Sequence, residues 1–391
     1  MKKRIILHVD VNNAFLSWTG IELLKNGYKK DIRKRCAIIA GDENQRRGIV
    51  LAKSTPCKKY NVITGEPIKS ARKKCPYLEI YSPNYSVYKK YSNKMYEYLL
   101  TYSDKVERYS IDECFIDYTE SILLFGNPVT TAYKIKEEIK NKFGFTVNVG
   151  IGTNKLTAKM ASDFEKPDKV HTLFENEIET KMWPLPVSDL FMIGKQTAKK
   201  LEEKNIKTIY ELAHINKEFL VKEFKKTALL MWNYANGIDT SPVESIHKEA
   251  KSISSSTVLP YNYGNIKEIN QVLYQLTTEV GIKLRDKNKY ATVVSIWIKY
   301  PNFNKVSKQV KLNTPINTDK DIYEHAKELF LKSWNNENIR AICVSVGNLV
   351  NNKKIQLTIF KQNEKKEKNI QETIDKINKK YGKNTITYAK K

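Results

Sequence analysis

No apolar run of membrane-spanning length occurs in this chain, and its opening, MKKRIILHVDV, meets His8 and Asp10 too soon for a secretory signal. A cytoplasmic protein with no membrane partner is the resulting expectation. Cysteine is scarce. Positions 36, 57, 75, 114 and 343 form an odd set without a C-x-x-C pair, which argues against a zinc ribbon or a disulfide framework and points to reduced, structural thiols. Acidic residues are the other shortage: 43 Asp and Glu face 68 Lys and Arg, a formal charge of +25. Part of that excess reflects Lys-, Asn- and Ile-rich usage, but its size asks for a polyanionic partner. The basic residues are spread along the chain with no basic amphipathic anchor, which favours nucleic acid over a membrane surface. What is present is ordinary globular material: 391 residues, 41% of them hydrophobic, enough for two or more domains with real cores.

Period and punctuation divide the chain further. RIILHVDV (4–11) reads as a buried strand ending at Asp10 and Val11, and NNAFLSWTGIELLKNG (12–27) as a helix stopped near Gly27. CAIIAG and GIVLAKS are short strands of a small mixed region whose later turns are marked by Pro67 and Pro76. A strand at YLEIY, a Tyr-rich helix, a hairpin at VERYSIDECFIDYT (106–119), a helix, the strand FTVNVGIG and the helix TNKLTAKMASDF, capped by Thr153 or Asn154, follow. That order describes a split βαβ sheet of ferredoxin-like type. After the strand-like KVHTLF, MIGKQTAKKL (192–201) reads as a tight Gly turn between two short helices. Such a turn is either a helix-hairpin-helix that grips DNA phosphates or an ordinary αα-hairpin. A Ser-rich, strand-poor stretch marks a linker over 241–252. Beyond it two helices alternate with strands in a second, basic α/β sandwich, and a lysine-rich tail contains one short helix.

The chemistry centres on Asp112 and Glu113, adjacent carboxylates at a hairpin. A solvated turn accounts for the pair by itself. A divalent cation would also cancel their repulsion, given a further carboxylate, and Asp10 ends the strand that should neighbour the hairpin. Three hard oxygen donors of this kind suit Mg²⁺ better than zinc, and the implied reaction is attack of a primer 3′-OH on an α-phosphate.

HVDVNNAF, YSIDECFIDYT, VGIGTNKLTAKMASDFEKPD and MIGKQTAKKL, in this order and spacing, resemble the Y-family translesion DNA polymerases, over residues 1 to about 360. The tail resembles that of a Gram-positive bacterial branch. The resemblance implies an α+β multidomain, right-hand architecture. Its parts would be a ferredoxin-like palm (1–19 and 79–180), small fingers (20–78), a helix-hairpin-helix thumb (181–240), a linker (241–252), an α/β little finger (253–355), and a tail with a clamp-binding motif (356–391). It implies Asp10, Asp112 and Glu113 as catalytic residues that bind two Mg²⁺, or Mn²⁺ as an alternative, with the Val11 carbonyl. It also implies Phe15 as an aromatic steric gate against ribonucleotides, Thr55, Lys58 and Lys166 as triphosphate contacts, and Ile193, Gly194, Lys195 and Thr197 as the DNA-gripping hairpin. QLTIF, with Gln356, Leu357, Ile359 and Phe360, would dock on the replicative sliding clamp, although the same residues alternate acceptably as a last strand.

The expected activity is low-fidelity, template-directed DNA synthesis past damaged bases without proofreading. The partners would be primer-template DNA and dNTP, and the protein a monomer. Two positions depart from the family: Thr55 and Lys58 stand where Tyr and Arg are usual, so a point charge replaces a bidentate fork, with Arg46 and Arg47 as nearby substitutes. Ala14 replaces a second aromatic before the gate. A palm-type nucleotidyl cyclase would need neither a DNA-gripping hairpin nor so basic a second half. An inert DNA- or clamp-binding protein would not need the acidic triad.

Overall fold

The structure, a computed structural model, describes residues 3–43, 46, 48–245, 249–351, 363–382 and 385–386. Contacts divide the chain into two compact units, residues 1–41 with 48–247, and residues 42–47 with 248–391. No helix among the described residues is long and apolar enough to cross a membrane.

In the first unit, β1 (Ile6–Val11) turns through Asn13, in the left-handed region at φ 48°, into α1 (Ala14–Lys25). β2 (Ala37–Ala40), β3 (Val50–Lys53), α2 (Ile68–Lys74) and β4 (Glu79–Tyr81) form a small body whose sheet runs β3-β2-β4. α3 (Tyr85–Leu99) leads to the hairpin of β5 (Val106–Arg108) and β6 (Glu113–Asp117). Then come α4 (Ile122–Phe125), α5 (Pro128–Phe143), β7 (Val147–Gly152), α6 (Lys155–Asp163) and β8 (Val170–Leu173). The larger sheet runs β5-β6-β1-β7-β8. Its first four strands pair antiparallel, the ferredoxin-like order expected, and β8 adds in parallel at the edge. The domain boundary expected at 78/79 needs correction: β4 pairs in parallel with β2, so the small sheet extends to Tyr81. A three-residue strand takes its sheet from a partner forty residues away, which local pattern does not reveal.

The two faces of the larger sheet do different work. Leu7, Val9 and Val11 pack with Trp18 of α1, Tyr88 and Met95 of α3 and Ile135 of α5, each fully buried side chain contributing about 1.5–3 kcal/mol. The alternate residues of β1, Ile6, His8 and Asp10, face α6. That helix lies close because β7 presents glycine there: a Cβ on Gly150 would stand 2.0 Å from the Ala158 carbonyl oxygen. Asn154, not Thr153, caps α6, accepting from the Thr157 N–H at 2.9 Å while Thr157 answers with its hydroxyl.

α7 (Lys195–Glu202), α8 (Ile209–His214), α9 (Lys217–Phe224) and α10 (Ala228–Ala235) close the unit around a core that includes Leu201, Leu212 and Leu220. The expected hairpin differs in detail. Its first helix is a single 3₁₀ turn, Val187–Asp189, and the left-handed residue is Met192 (φ 71°), while Gly194 caps α7 at an ordinary φ of −79°.

The second unit contains β9 (Ser252–Tyr263), α11 (Ile266–Asp286), β10 (Tyr290–Lys299), β11 (Lys305–Ile316), α12 (Asp319–Leu331), β12 (Ile339–Val350) and α13 (Asn363–Tyr381). Its sheet runs β11-β10-β12-β9, all antiparallel, and packs against α11 and α12. β9 begins at Ser252, the last residue of the expected linker, and runs for twelve residues, with Ser254 and Ser256 on the open face and Ile253 in the core beside Val346. The clamp-docking residues Gln356, Leu357, Ile359 and Phe360 lie outside the described residues.

Candidate active site

Register brings the first two carboxylates together. Asp10 stands directly opposite Glu113 across the β1–β6 pair, so their side chains share a face. Asp112, in the turn just before β6, is tied alongside: its carbonyl accepts from the Val11 N–H at 3.0 Å, and its carboxylate accepts from Ser110 Oγ at 2.7 Å. The expected three-carboxylate cluster is not closed, however. Among the described residues no group of three or more His, Cys, Asp or Glu side chains is near enough to hold a metal ion.

Two lysines stand between the carboxylates instead. Lys159 of α6 lies 2.5 Å from Glu113 Oε1, 3.3 Å from Asp163 Oδ2 and 3.5 Å from Asp10 Oδ2. Lys166 lies 2.5 Å from Asp10 Oδ2 and 2.8 Å from Asp163 Oδ1. Burial, the largest single effect, would lower both ammonium pKa values, but Asp10 and Asp163 together, with Glu113 at Lys159, more than offset it and both are raised. Burial also dominates at Asp10 and Asp112 and holds both carboxyls above the usual range; Lys166 and Lys159 at Asp10, and the Ser110 hydroxyl with Lys159 at Asp112, compensate only in part. Beneath them His8 is buried and kept neutral by desolvation; Nδ1 bonds Ser162 Oγ at 2.8 Å, and Nε2 lies 3.9 Å from Glu113 without a hydrogen bond. Hard oxygen donors whose charge is incompletely answered fit a divalent cation of the Mg²⁺ kind.

A cleft of about 300 Å³ opens beside this group. Asp10, Val11 and Asp112 line it, as do Ala14, Phe15, Thr55, Lys58 and Lys166, so seven residues expected at the site converge there, along with the departing Ala14. Glu113 is set back on the same face of the sheet. Phe15 stacks flat on Tyr88, ring centroids 4.3 Å apart, which fixes its orientation toward the cleft. Lys53, absent from the expectation, also lines it, with its ammonium donating to the Val62 carbonyl and no ion pair among the described residues. Desolvation lowers the Lys53 pKa, the neighbouring charge of Lys58 adding to it. Its signal was its place at the end of β3, two residues before Thr55. Arg46 does not line the cleft, and Arg47 lies outside the described residues.

At the hairpin, Ile193 turns its side chain into the helical core, so only its backbone remains for a ligand. Gly194 and Lys195 are exposed, a Cβ at Gly194 would meet open space, and Met192 projects with 62% of its surface exposed, a residue the motif did not single out. In the second unit the sheet face away from α11 and α12 carries Ser254, Ser345, Ser295, Trp297, Lys299 and Lys305, and none of the four strands contains an Asp or Glu.

Three family descriptions match the chain: the impB/mucB/samB family over residues 9–163, the IMS family HHH motif over 175–206, and the C-terminal domain of the impB/mucB/samB family over 250–359. The chain belongs to this family, the Y-family of DNA polymerases. Its relatives include DNA polymerase IV of Clostridium acetobutylicum, 45% identical over 92% of this chain and 90% of that protein. DNA polymerase IV 2 of Bacillus subtilis is 34% identical over 94% and 89%. Among solved structures, a Y-family DNA polymerase chimera superposes with a TM-score of 0.76 at 26% identity, covering 89% of this chain and 100% of that one.

Proposed function

We propose that the protein is a DNA-directed DNA polymerase that carries out low-fidelity translesion synthesis on primer-template DNA. The observation that carries the reading is a cleft lined together by the carboxylates of Asp10 and Asp112, by Lys53 and Lys58, which have no carboxylate partner among the described residues, and by the Phe15 ring. Asp10, Asp112, Glu113 and the Val11 carbonyl are the groups to hold two Mg²⁺, or Mn²⁺. Bound there, the ions supply Lewis-acid activation of the primer 3′-OH and charge neutralisation at the leaving pyrophosphate. Lys53, Lys58 and Lys166 hold the incoming polyphosphate as separate point charges, Thr55 adding a hydroxyl, in place of an arginine fork. Phe15, braced by Tyr88, meets a ribose 2′-OH sterically. The backbone N–H groups at the start of α7, with Lys195 and Thr197 beside them, and the acid-free sheet face of the second unit bind DNA phosphates without reading bases. Residues 356–360 serve as the docking peptide for the sliding clamp, and the protein works as a cytoplasmic monomer.

Mg²⁺-dependent primer extension on an undamaged and an abasic template tests this. Extension past the abasic site is expected, with a loss of at least about 100-fold in Asp112→Asn and gain of ribonucleotide use in Phe15→Ala. Tight primer-template binding with no extension on either template would overturn the proposal.

A further inference from the structure

Asp10 and Glu113 oppose each other across an antiparallel pair, and like charges so placed work against the pairing. Their side chains are only 10% and 16% exposed, so dissolved salt screens little of the repulsion. The chain brings its own cation to that point. Lys159, 11% exposed, touches Glu113 and reaches Asp10, and it does not line the cleft. Its position is not adjustable, because α6 is held against the sheet by the glycine face of β7 and started by the Asn154 cap. Lys166 is built differently: it follows α6 in a connecting segment, is 33% exposed, lines the cleft and does not contact Glu113.

We infer that Lys159 is a resident positioning cation of the active site: it holds Asp10 and Glu113 together before a divalent ion arrives and remains in place afterwards. Lys166, by contrast, is the lysine free to leave Asp10 for the incoming triphosphate. The inference rests on the proposed reading of Asp10 and Glu113 as metal ligands, and it separates two lysines that contact the same carboxylate. Without Lys159, two desolvated carboxylates would face each other with only Lys166 on one of them, and a divalent ion would become the main source of compensating charge.

Lys159→Met keeps the length of the stem and removes the charge. Thermal unfolding is followed for this variant and the natural chain in EDTA and in Mg²⁺, and Mn²⁺ binding is titrated by electron paramagnetic resonance on DNA-free protein. In EDTA the variant should unfold roughly 5–10 °C lower. Mg²⁺ should restore most of that fall while moving the natural chain little, and Mn²⁺ should bind the variant about tenfold more tightly. In the double variant Lys159→Met/Glu113→Gln, which removes one of the opposed charges, stability in EDTA should return without any metal. A fall that is the same in EDTA and Mg²⁺, and that Glu113→Gln does not relieve, would show that Lys159 only packs and would overturn the inference. If neither protein responds to either ion, the metal-ligand reading fails, and the Glu113→Gln arm still decides whether the Lys159 charge holds the pair.

Discussion

At the scale of single residues, the proposed function gives Lys53 a part in answering the departure from the family pattern at positions 55 and 58. An arginine at position 58 would grip a phosphate with a planar fork; lysine offers a point charge on a flexible stem. Lys53 adds a second ammonium to the residues lining the cleft, and Thr55 Oγ1 lies 3.5 Å from the Asn13 side-chain amide. The prediction is that Lys53→Ala and Lys58→Ala each raise the KM for dNTP by roughly tenfold, the worth of one charge-assisted hydrogen bond, with primer-template affinity unchanged. Steady-state kinetics alongside a DNA-binding isotherm would check it; an unchanged KM in Lys53→Ala would remove that lysine from the phosphate site. Asp10, Asp112, Phe15 and Lys166 were legible because each sits in a motif with a known partner. Lys159 was not, because a lysine in a basic chain carries no signal until folding shows what it faces; Lys53 had only its place two residues before Thr55. At Ile193 the motif names a position whose side chain belongs to the helical core, so any DNA contact there is the backbone's.

At the scale of elements, α13 shows how the tail helix is attached. Arg285 of α11 donates through Nε and Nη2 to Asp375 at 2.5 and 3.0 Å and through Nη1 to Asp319 at 2.7 Å, and Gln371 bonds both acids. Gly281 makes room, since a Cβ there would stand 2.1 Å from Asp319 Oδ1. Burial outweighs the pull of Arg285 and pushes the Asp319 carboxyl up to about 6, although the raised Arg285 pKa says that the pair itself is favourable. Both hold, since Arg285 has two acidic partners and Asp319 one basic one. An acid whose pKa is raised by folding stabilises the fold when protonated, and that contribution is lost as pH rises from its unfolded value of 3.8 through about 6. Asp319→Asn cannot titrate, so its stability should improve relative to the natural chain between about pH 4 and about pH 7, by on the order of 3 kcal/mol. Parallel denaturant titrations would measure the gap; a gap that does not vary with pH would mean that Arg285 fully compensates the charge.

At the scale of the molecule, the charge of +25 is general, but its placement is specific. The sheet of the second unit packs one face on helices and leaves the other free of carboxylates, with Lys305 resting over Trp297 at 4.5 Å and Lys299 over Phe303 at 4.7 Å. Affinity for DNA should fall linearly in logarithmic terms with salt, and replacing Lys299, Lys305 and Lys311 together by Ala should flatten the slope by about three. Fluorescence anisotropy over a salt series measures it, and an unaltered slope would place the phosphate contacts elsewhere. The sequence by itself determined the family, the strand and helix order of the larger sheet, and most of the residues that line the candidate site, because hydrophobic period and motif spacing are local properties written in consecutive residues. Tertiary structure alone decided that β4 joins β2, that Ser254 and Ser256 of β9 face outward while Ser255 is buried, and that Lys159 stands between Asp10 and Glu113. Those depend on pairings between distant segments, where the partner and not the residue sets the energy.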